Sequence, residues 1–385
     1  MALRTTRILA PLLLALVALV ACAPQATQPL PPRIAVVAPP RVALPPEAPR
    51  EQVALLLPLS GPNAPLGEAA LAAAQLALFE RGGPGIELVP HDTGGTSLGA
   101  AQAARAALAG GARAIVGPLT APEARAVGPL ARQAGAPVFA FTNDPTVAGP
   151  SLWPLGISPD QQVRRLVGHA AAGGARRLAL VAPEGPFGRA LAEALRAATR
   201  QAGLPEPLVA IYPPAAAPGV VARDVLQRAG DAPPEAVLIG EAGERAGEMA
   251  AALVGAGLAV PPARLLGSAL WHGEPRIASE ARLAGAVFPG PDPGARARFE
   301  SRFEGAFGTR PSRIAATAYD ATAIGIAALR ARPAEAPVGE ELAGADGPLR
   351  LGPNGQVLRG LALFAIEPGL EPRLVEPAPA AAPGS

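Results

Sequence analysis

The sequence predicts an α/β protein of two doubly wound lobes, each on a parallel sheet, facing each other across a cleft. Three observations point there. Short runs of Val, Ile and Leu alternate with Ala-rich segments of helical length, the pattern of parallel sheets covered on both faces. The alternation comes in two successive series. The length that remains after a Pro-rich N-terminal stretch, about 330 residues, exceeds what a single compact core comfortably holds.

The chain opens with MALRTTRILAPLLLALVALVAC, in which Arg4 and Arg7 precede an apolar run from Ile8 to Ala21. A basic start followed by a run of that length reads as an export signal over residues 1–22. The run ends Leu19-Val20-Ala21-Cys22, a pattern similar to the lipobox of bacterial lipoproteins, and Cys22 is the single cysteine of the chain. It is the expected lipidation site, so the mature chain has no other thiol for disulfides, metal binding or nucleophilic chemistry. Residues 23–50 carry proline pairs at 31–32, 39–40 and 45–46. Such a stretch favours extended polyproline II and makes a tether of roughly 80 Å reach.

Past the tether, strands are expected at 53–57 (VALLL), 86–90, 113–116 and 137–141, with helices at 66–81, 97–109 and 121–134. A second series places strands at 177–182, 207–211, 236–240 and 264–268 among helices at 160–173, 187–202, 219–229 and 243–257. Long helical patterns follow at 294–307 and 313–331. Strand-like pieces at 348–351 and 360–366 then flank GPNGQ, whose Asn354-Gly355 is a two-residue turn signal. The Pro- and Ala-rich end, 368–385, is expected to be disordered.

In open α/β sheets a ligand sits beyond the carboxyl ends of the strands, where helix N-termini offer free N–H groups. The break Ser60-Gly61-Pro62-Asn63 after the first strand is such a place. Ser60 and Asn63 either donate to a ligand carboxylate or cap the helix that follows.

The chain contains no lysine, which excludes a Walker A loop, a Schiff base and an SxxK nucleophile. No GxSxG elbow occurs either. His91, His169 and His272 are far apart and form no metal-binding spacing, and each is read as a surface or rim residue. No catalytic residue, metal or cofactor is therefore expected. Without the signal the chain has 31 basic and 31 acidic residues, a balance that, with few aromatics, gives no nucleic-acid surface.

Several stretches together resemble one family. They are VALLLPLSGPNAPLGEAALAAAQLAL, HDTGG, ARAIVGPLTAPEARAVGPLARQAGAPVFAFTND, RLALVAPEGPFGRALAEALR and the Tyr319-Asp320-Ala321-Thr322 run. In this order they are similar to the type I periplasmic binding fold, nearest its leucine-binding-protein-like branch, over residues 51–367. The resemblance implies three crossings between lobes. Lobe one is then expected at about 51–145 plus 272–345, and lobe two at 146–271 plus 346–367.

The resemblance also implies that Thr120, Thr142, Asn143 and Asp144 lie where amino-acid-binding members hold the ligand's carboxylate and ammonium. Ala121 and Pro122 stand where a serine is usual, and proline removes a donor. Phe187 occupies a position often held by tyrosine, leaving an aromatic wall without a hydroxyl. The acid that pairs with the ammonium is replaced by Ala269 or Leu270, with Glu241, Trp271, His272 and Glu274 as nearby substitutes. An unpaired buried ammonium costs several kcal/mol, so a standard amino acid is a poor ligand for this chain.

The lipobox, the tether and this altered cleft together look like the penicillin-binding-protein activators, lipoproteins that stimulate peptidoglycan synthases. That resemblance implies a non-enzymatic regulator in the periplasm whose partner is a penicillin-binding protein. Ala23 after the cysteine, in place of the aspartate that retains lipoproteins in the inner membrane, implies anchoring to the outer membrane. The alternative is the substrate-binding protein of an ABC importer, with an ABC permease as partner, for a branched-chain amino acid, an amide or a similar small polar solute.

Overall fold

A computed structural model describes residues 50–381. The export signal, Cys22, the tether up to residue 49 and residues 382–385 lie outside the described residues. The chain first lays down β1 (Glu51–Leu57), α1 (Ala64–Arg81), β2 (Ile86–Asp92), α2 (Ser97–Ala109), β3 (Ala112–Val116), α3 (Ala121–Ala134), β4 (Val138–Ala140) and β5 (Leu152–Pro154). It continues with α4 (Pro159–Ala172), β6 (Leu178–Pro183), α5 (Pro186–Gln201), β7 (Leu208–Tyr212), α6 (Pro218–Ala229), β8 (Ala236–Ile239), α7 (Glu244–Gly255), β9 (Arg264–Gly267), α8 (Pro275–Ala278) and β10 (Val287–Gly290). Then come α9 (Pro293–Phe307), α10 (Arg313–Ala328), β11 (Glu341–Gly344), β12 (Gly347–Leu351), β13 (Val357–Arg359), β14 (Ala362–Ala365) and β15 (Arg373–Glu376).

The first sheet has the order β2-β1-β3-β4-β5 and is parallel throughout. Its period of two sends Val53, Leu55 and Leu57 into one core and Ala54 and Leu56 into another, as expected for a strand buried on both faces. The second sheet has the order β15-β14-β10-β9-β8-β6-β7. It is parallel from β7 to β10, with β14 and β15 added antiparallel. It too separates two cores, one around Val181, Ile239 and Phe288, the other around Leu180, Leu191 and Leu195. The two doubly wound lobes are present.

Small residues let helices approach the strand ends closely. A Cβ at Gly67, in the first turn of α1, would lie 2.2 Å from the Pro58 carbonyl oxygen, and one at Gly188, in α5, 2.2 Å from that of Pro183. The same device thus seats α1 on the loop after β1 and α5 on the end of β6. Gly67→Ala is expected to destabilise the chain by about 1–3 kcal/mol through overpacking, measured by urea unfolding.

The lobes exchange chain at different places from those expected. β5 joins the first sheet and β10 the second, while Phe299, Phe303, Leu349 and Val357 belong to a first-lobe core. The crossings therefore fall at 155–158, 291–292 and 360–361, not at 145/146, 271/272 and 345/346. The hairpin around GPNGQ joins β12 to β13, whereas the piece containing 362–365 has already entered the second sheet. The end expected to be disordered is ordered as far as Ala381. β15 pairs with β14, and Arg350 Nε donates to the carbonyl of the buried Ala381 at 2.7 Å.

Candidate functional site

The loops at the carboxyl ends of the strands carry nearly all the residues singled out from sequence, and most of their polar groups bond to neighbouring groups of the protein. After β1, Ser60 is exposed and neither caps α1 nor stands free. Its N–H donates to Asp92 Oδ1 at 3.2 Å, joined there by Leu59 N–H at 2.9 Å and Gly94 N–H at 2.8 Å. The Ser60 hydroxyl, then these amides, hold the Asp92 carboxyl below the usual carboxylate range against a smaller opposing effect of burial. Asp92 thus pins the loop after β1 to the loop after β2. Asn63 precedes α1 but makes no side-chain cap, and its amide nitrogen faces Gly95.

Thr120 closes a capping box on α3. Its hydroxyl donates to Glu123 Oε2 at 2.7 Å, its own N–H donates to the same oxygen at 2.9 Å, and its oxygen accepts from Glu123 N–H at 3.5 Å. A hydroxyl has one proton, and this one is already placed. Glu123 is fully buried, and its Oε1 has no partner among the described residues. Thr120→Val is expected to cost about 1–2 kcal/mol, because it removes the cap and strips the buried carboxylate of a donor, again read by urea unfolding.

The next loop behaves alike. Thr142 is buried and accepts from Asp144 N–H at 3.1 Å. Asp144 pairs with Arg125 at 2.8 Å and accepts from the amide and hydroxyl of Thr146. Burial works to raise the Asp144 pKa, but Thr146 and Arg125 outweigh it and the carboxyl stays below its usual range. Asn143 is exposed, with its backbone against Gly156, where a Cβ would come within 2.8 Å of Asn143 N.

In lobe two, Phe187 is partly buried and packs against the core that contains Leu180 and Leu191. Trp271 is 1% exposed, and its Nε1 donates to the Glu241 carbonyl at 2.8 Å. Its ring lies so close to Gly267 that a Cβ there would come within 2.2 Å. It is a core residue, not an open wall for a ligand. The Glu241 carboxylate accepts from Tyr212 Oη at 2.8 Å and Arg245 Nε at 3.3 Å. Burial, then Glu241, raises the Tyr212 pKa and keeps its hydroxyl protonated as the donor. Glu274 turns back to the Arg276 N–H at the start of α8.

The histidines are half-buried rather than surface residues. His272 packs between Phe288 and Phe364, with ring centroids 6.4 and 5.6 Å away, and burial lowers its pKa. His169 Nδ1 lies 2.6 Å from Glu376, and burial lowers the pKa of His91.

Arg313 gave no signal in the sequence. It is the first residue of α10 in lobe one, and it donates to the carbonyls of Ala269 at 2.8 Å and Leu270 at 3.3 Å in lobe two. The N–H of Ala269 meanwhile donates to Gln162 Oε1 at 2.8 Å. The place where the resemblance would put an acid for a ligand's ammonium is thus occupied by carbonyls already bonded to a cation of the opposite lobe.

A family model described as periplasmic binding protein matches residues 52–346. The chain belongs to the periplasmic binding protein family. Families of this kind are made of binding proteins rather than enzymes. This periplasmic binding protein is similar in fold to a solved structure assigned to a branched-chain amino acid ABC transporter of Rhodospirillum rubrum, with 21% identity, 85% of this chain and 100% of the other covered, and a TM-score of 0.73. It is similar to an ABC transporter substrate-binding protein of Sphaerobacter thermophilus, with 22% identity, 86% and 98% covered, and a TM-score of 0.69. It is also similar to full-length LpoA of Haemophilus influenzae, with 21% identity, 85% of this chain but 59% of LpoA covered, and a TM-score of 0.66. No curated protein matches this periplasmic binding protein in sequence.

Proposed function

We propose that this periplasmic binding protein is a non-enzymatic envelope lipoprotein that regulates peptidoglycan synthesis by contacting a penicillin-binding protein. The observation that carries the reading is the state of the strand-end polar groups. Thr120 serves Glu123, Asp144 serves Arg125 and Thr146, Glu241 serves Tyr212 and Arg245, and Arg313 takes the carbonyls of Ala269 and Leu270. A zwitterion entering there finds the Asp144 and Glu241 carboxylates already paired, and the desolvation of its ammonium opposes binding. The penicillin-binding-protein activators that the sequence resembles have LpoA among the similar structures. Attachment through Cys22 to the outer membrane, with residues 23–50 as the tether, completes the reading.

The test is direct. The full chain, mixed with a purified bifunctional penicillin-binding protein from the same cells, is expected to bind it and raise its glycan-synthesis rate. Absence of both effects for every such enzyme of the cell overturns the proposal.

A second reading, solute receptor of an ABC importer, is favoured by the substrate-binding proteins that this chain matches over almost their whole length. Hinge closure around a solute is that mechanism. The two readings separate in a thermal-shift experiment. Under the first, millimolar leucine or other standard amino acids move the melting temperature by less than about 2 °C, whereas a ligand at a hundred times its Kd adds nearly 3 kcal/mol. A clear shift with leucine transfers the conclusion to the importer.

A further inference from the structure

The end of the chain makes a fourth link between the lobes. β15 lies at the edge of the lobe-two sheet and runs antiparallel to β14, so past Glu376 the chain heads back along the third crossing. Arg165 of α4 marks its course. The Arg165 Nε donates to the Leu361 carbonyl in that crossing at 3.0 Å, Nη2 donates to the Pro377 carbonyl at 3.2 Å, and Nη1 lies 2.6 Å from the Glu376 carboxylate. His169, one turn further along α4, lies 2.6 Å from the same carboxylate. Up to Pro377 the tail is held by lobe two.

It then changes lobe. A Cβ at Gly360 would lie 2.0 Å from the Pro379 carbonyl oxygen, so only glycine lets the tail and the third crossing touch there. Two residues further on, Ala381 is fully buried. Its N–H donates to Glu341 Oε2 of β11 at 3.0 Å, and its carbonyl accepts from Arg350 Nε of β12 at 2.7 Å. Arg350 lies 3.7 Å from Glu341 and donates also to the Gly339 carbonyl, which fixes the guanidinium in place. Both backbone groups of one buried residue are thus satisfied by side chains of lobe one. Leaving a buried N–H and C=O without partners is costly, so Ala381 is held in this seat.

We propose that residues 377–381 form a strap that restrains the hinge between the lobes. Rotating one lobe against the other moves α4 relative to β11 and β12, and the strap is bonded to both sides. The motion therefore requires that Ala381 leave Glu341 and Arg350, or that Glu376 and Pro377 leave Arg165 and His169. Hinge closure is the ordinary motion of two-lobed binding proteins, and in this chain the strap opposes it. The restraint acts whichever partner the lobes meet, so it is independent of the penicillin-binding protein proposed above.

Two measurements test it. Spin labels at Leu98→Cys and Val220→Cys, exposed positions in the first turns of α2 in lobe one and α6 in lobe two, report the distribution of interlobe distances in a Cys22→Ser background. A chain ending at Pro377 is expected to give a broader distribution than the full chain, and Arg350→Met the same change. Arg373→Met, which breaks an ion pair confined to lobe two, should leave it unaltered. In hydrogen exchange of the full chain the Ala381 amide is expected to be protected, and Arg350→Met should speed its exchange about tenfold or more. If the shortened chain does not fold, Arg350→Met, at a partly exposed side chain, carries the test. Distributions of equal width in the full chain and the strap variants overturn the restraint, and an Ala381 amide exchanging as fast as in an unfolded chain overturns the strap itself.

Discussion

Arg359→Met is expected to lower the unfolding free energy by about 3–5 kcal/mol at pH 8, the usual consequence of stripping one partner from a buried ion pair. Arg359 closes β13 just before the third crossing. Its Nη1 lies 3.2 Å from Asp320 Oδ2 on α10, and its Nε donates at 3.0 Å to the Leu155 carbonyl in the first crossing. The side chains are 3% and 2% exposed, so neither charge has water to fall back on. One guanidinium therefore ties two of the three crossings to the body of lobe one.

The pH dependence of that penalty is distinctive. Burial pushes Asp320 up to about 6, and Arg359 and the Ala345 amide only partly oppose it. Without the cation the folded carboxyl holds its proton still more strongly. A raised folded pKa gives stability that is present below the ordinary value of 3.8 and lost as pH rises through the folded value. The deficit of Arg359→Met relative to wild type should accordingly shrink when unfolding is measured at pH 5 instead of pH 8. Replacing both residues with Met and Leu removes both buried charges and is expected to be far milder than the single change. A single variant as stable as wild type at pH 8 would show that the pair does not hold the crossings.

The sequence made the alternation legible because strands buried on both faces are unbroken Val, Ile and Leu runs, and because helix ends carry their own chemistry. Helices expected at 97–109 and 121–134 are found at those residues. Thr96 and Thr120 cap their starts, and Gly135, with φ of 69°, terminates the second. What escaped were strands that break local rules. β10 contains Pro289, but β10 pairs with β9 only at Val287, so the proline lies beyond that pairing and its missing N–H does no harm. β15 lies at the edge of its sheet, where short, proline-flanked strands are tolerated. Which sheet a strand joins is a tertiary fact that no local pattern encodes, and the misplaced crossings follow from it.

The site was legible only as a set of loops. Residue type correctly marked Thr120 and Asp144 as hydrogen-bonding positions but could not say toward what. The answer lies in Glu123, Thr146 and Arg125, the last of them 19 positions from Asp144. Arg313 and Arg359 are two arginines in a chain whose basic residues are all arginine, and their partners lie 44 and 39 positions distant. Asp320 was visible as part of a resembling motif, and the structure supplies its physical reason.

Trp271→Ala is expected to cost about 3–5 kcal/mol, as for a large aromatic removed from a packed core. The ring touches the strand end at Gly267, lies 6.3 Å from Phe288 between centroids, and satisfies the Glu241 carbonyl. Truncation leaves a cavity among Gly267, Phe288 and Ile277 and an acceptor without its donor, two losses that act together. Trp271→Phe restores part of the volume but not the N–H, so its cost should be intermediate. A tryptophan that walled a ligand would behave differently: its removal would leave urea unfolding near wild type and change only binding. Wild-type stability of Trp271→Ala would therefore put the ring back in the cleft and weaken the case for a partner protein. A large loss, with no thermal shift by amino acids in wild type, places the residue in the machinery that holds lobe two together beneath Ala269 and Leu270, the carbonyls gripped by Arg313.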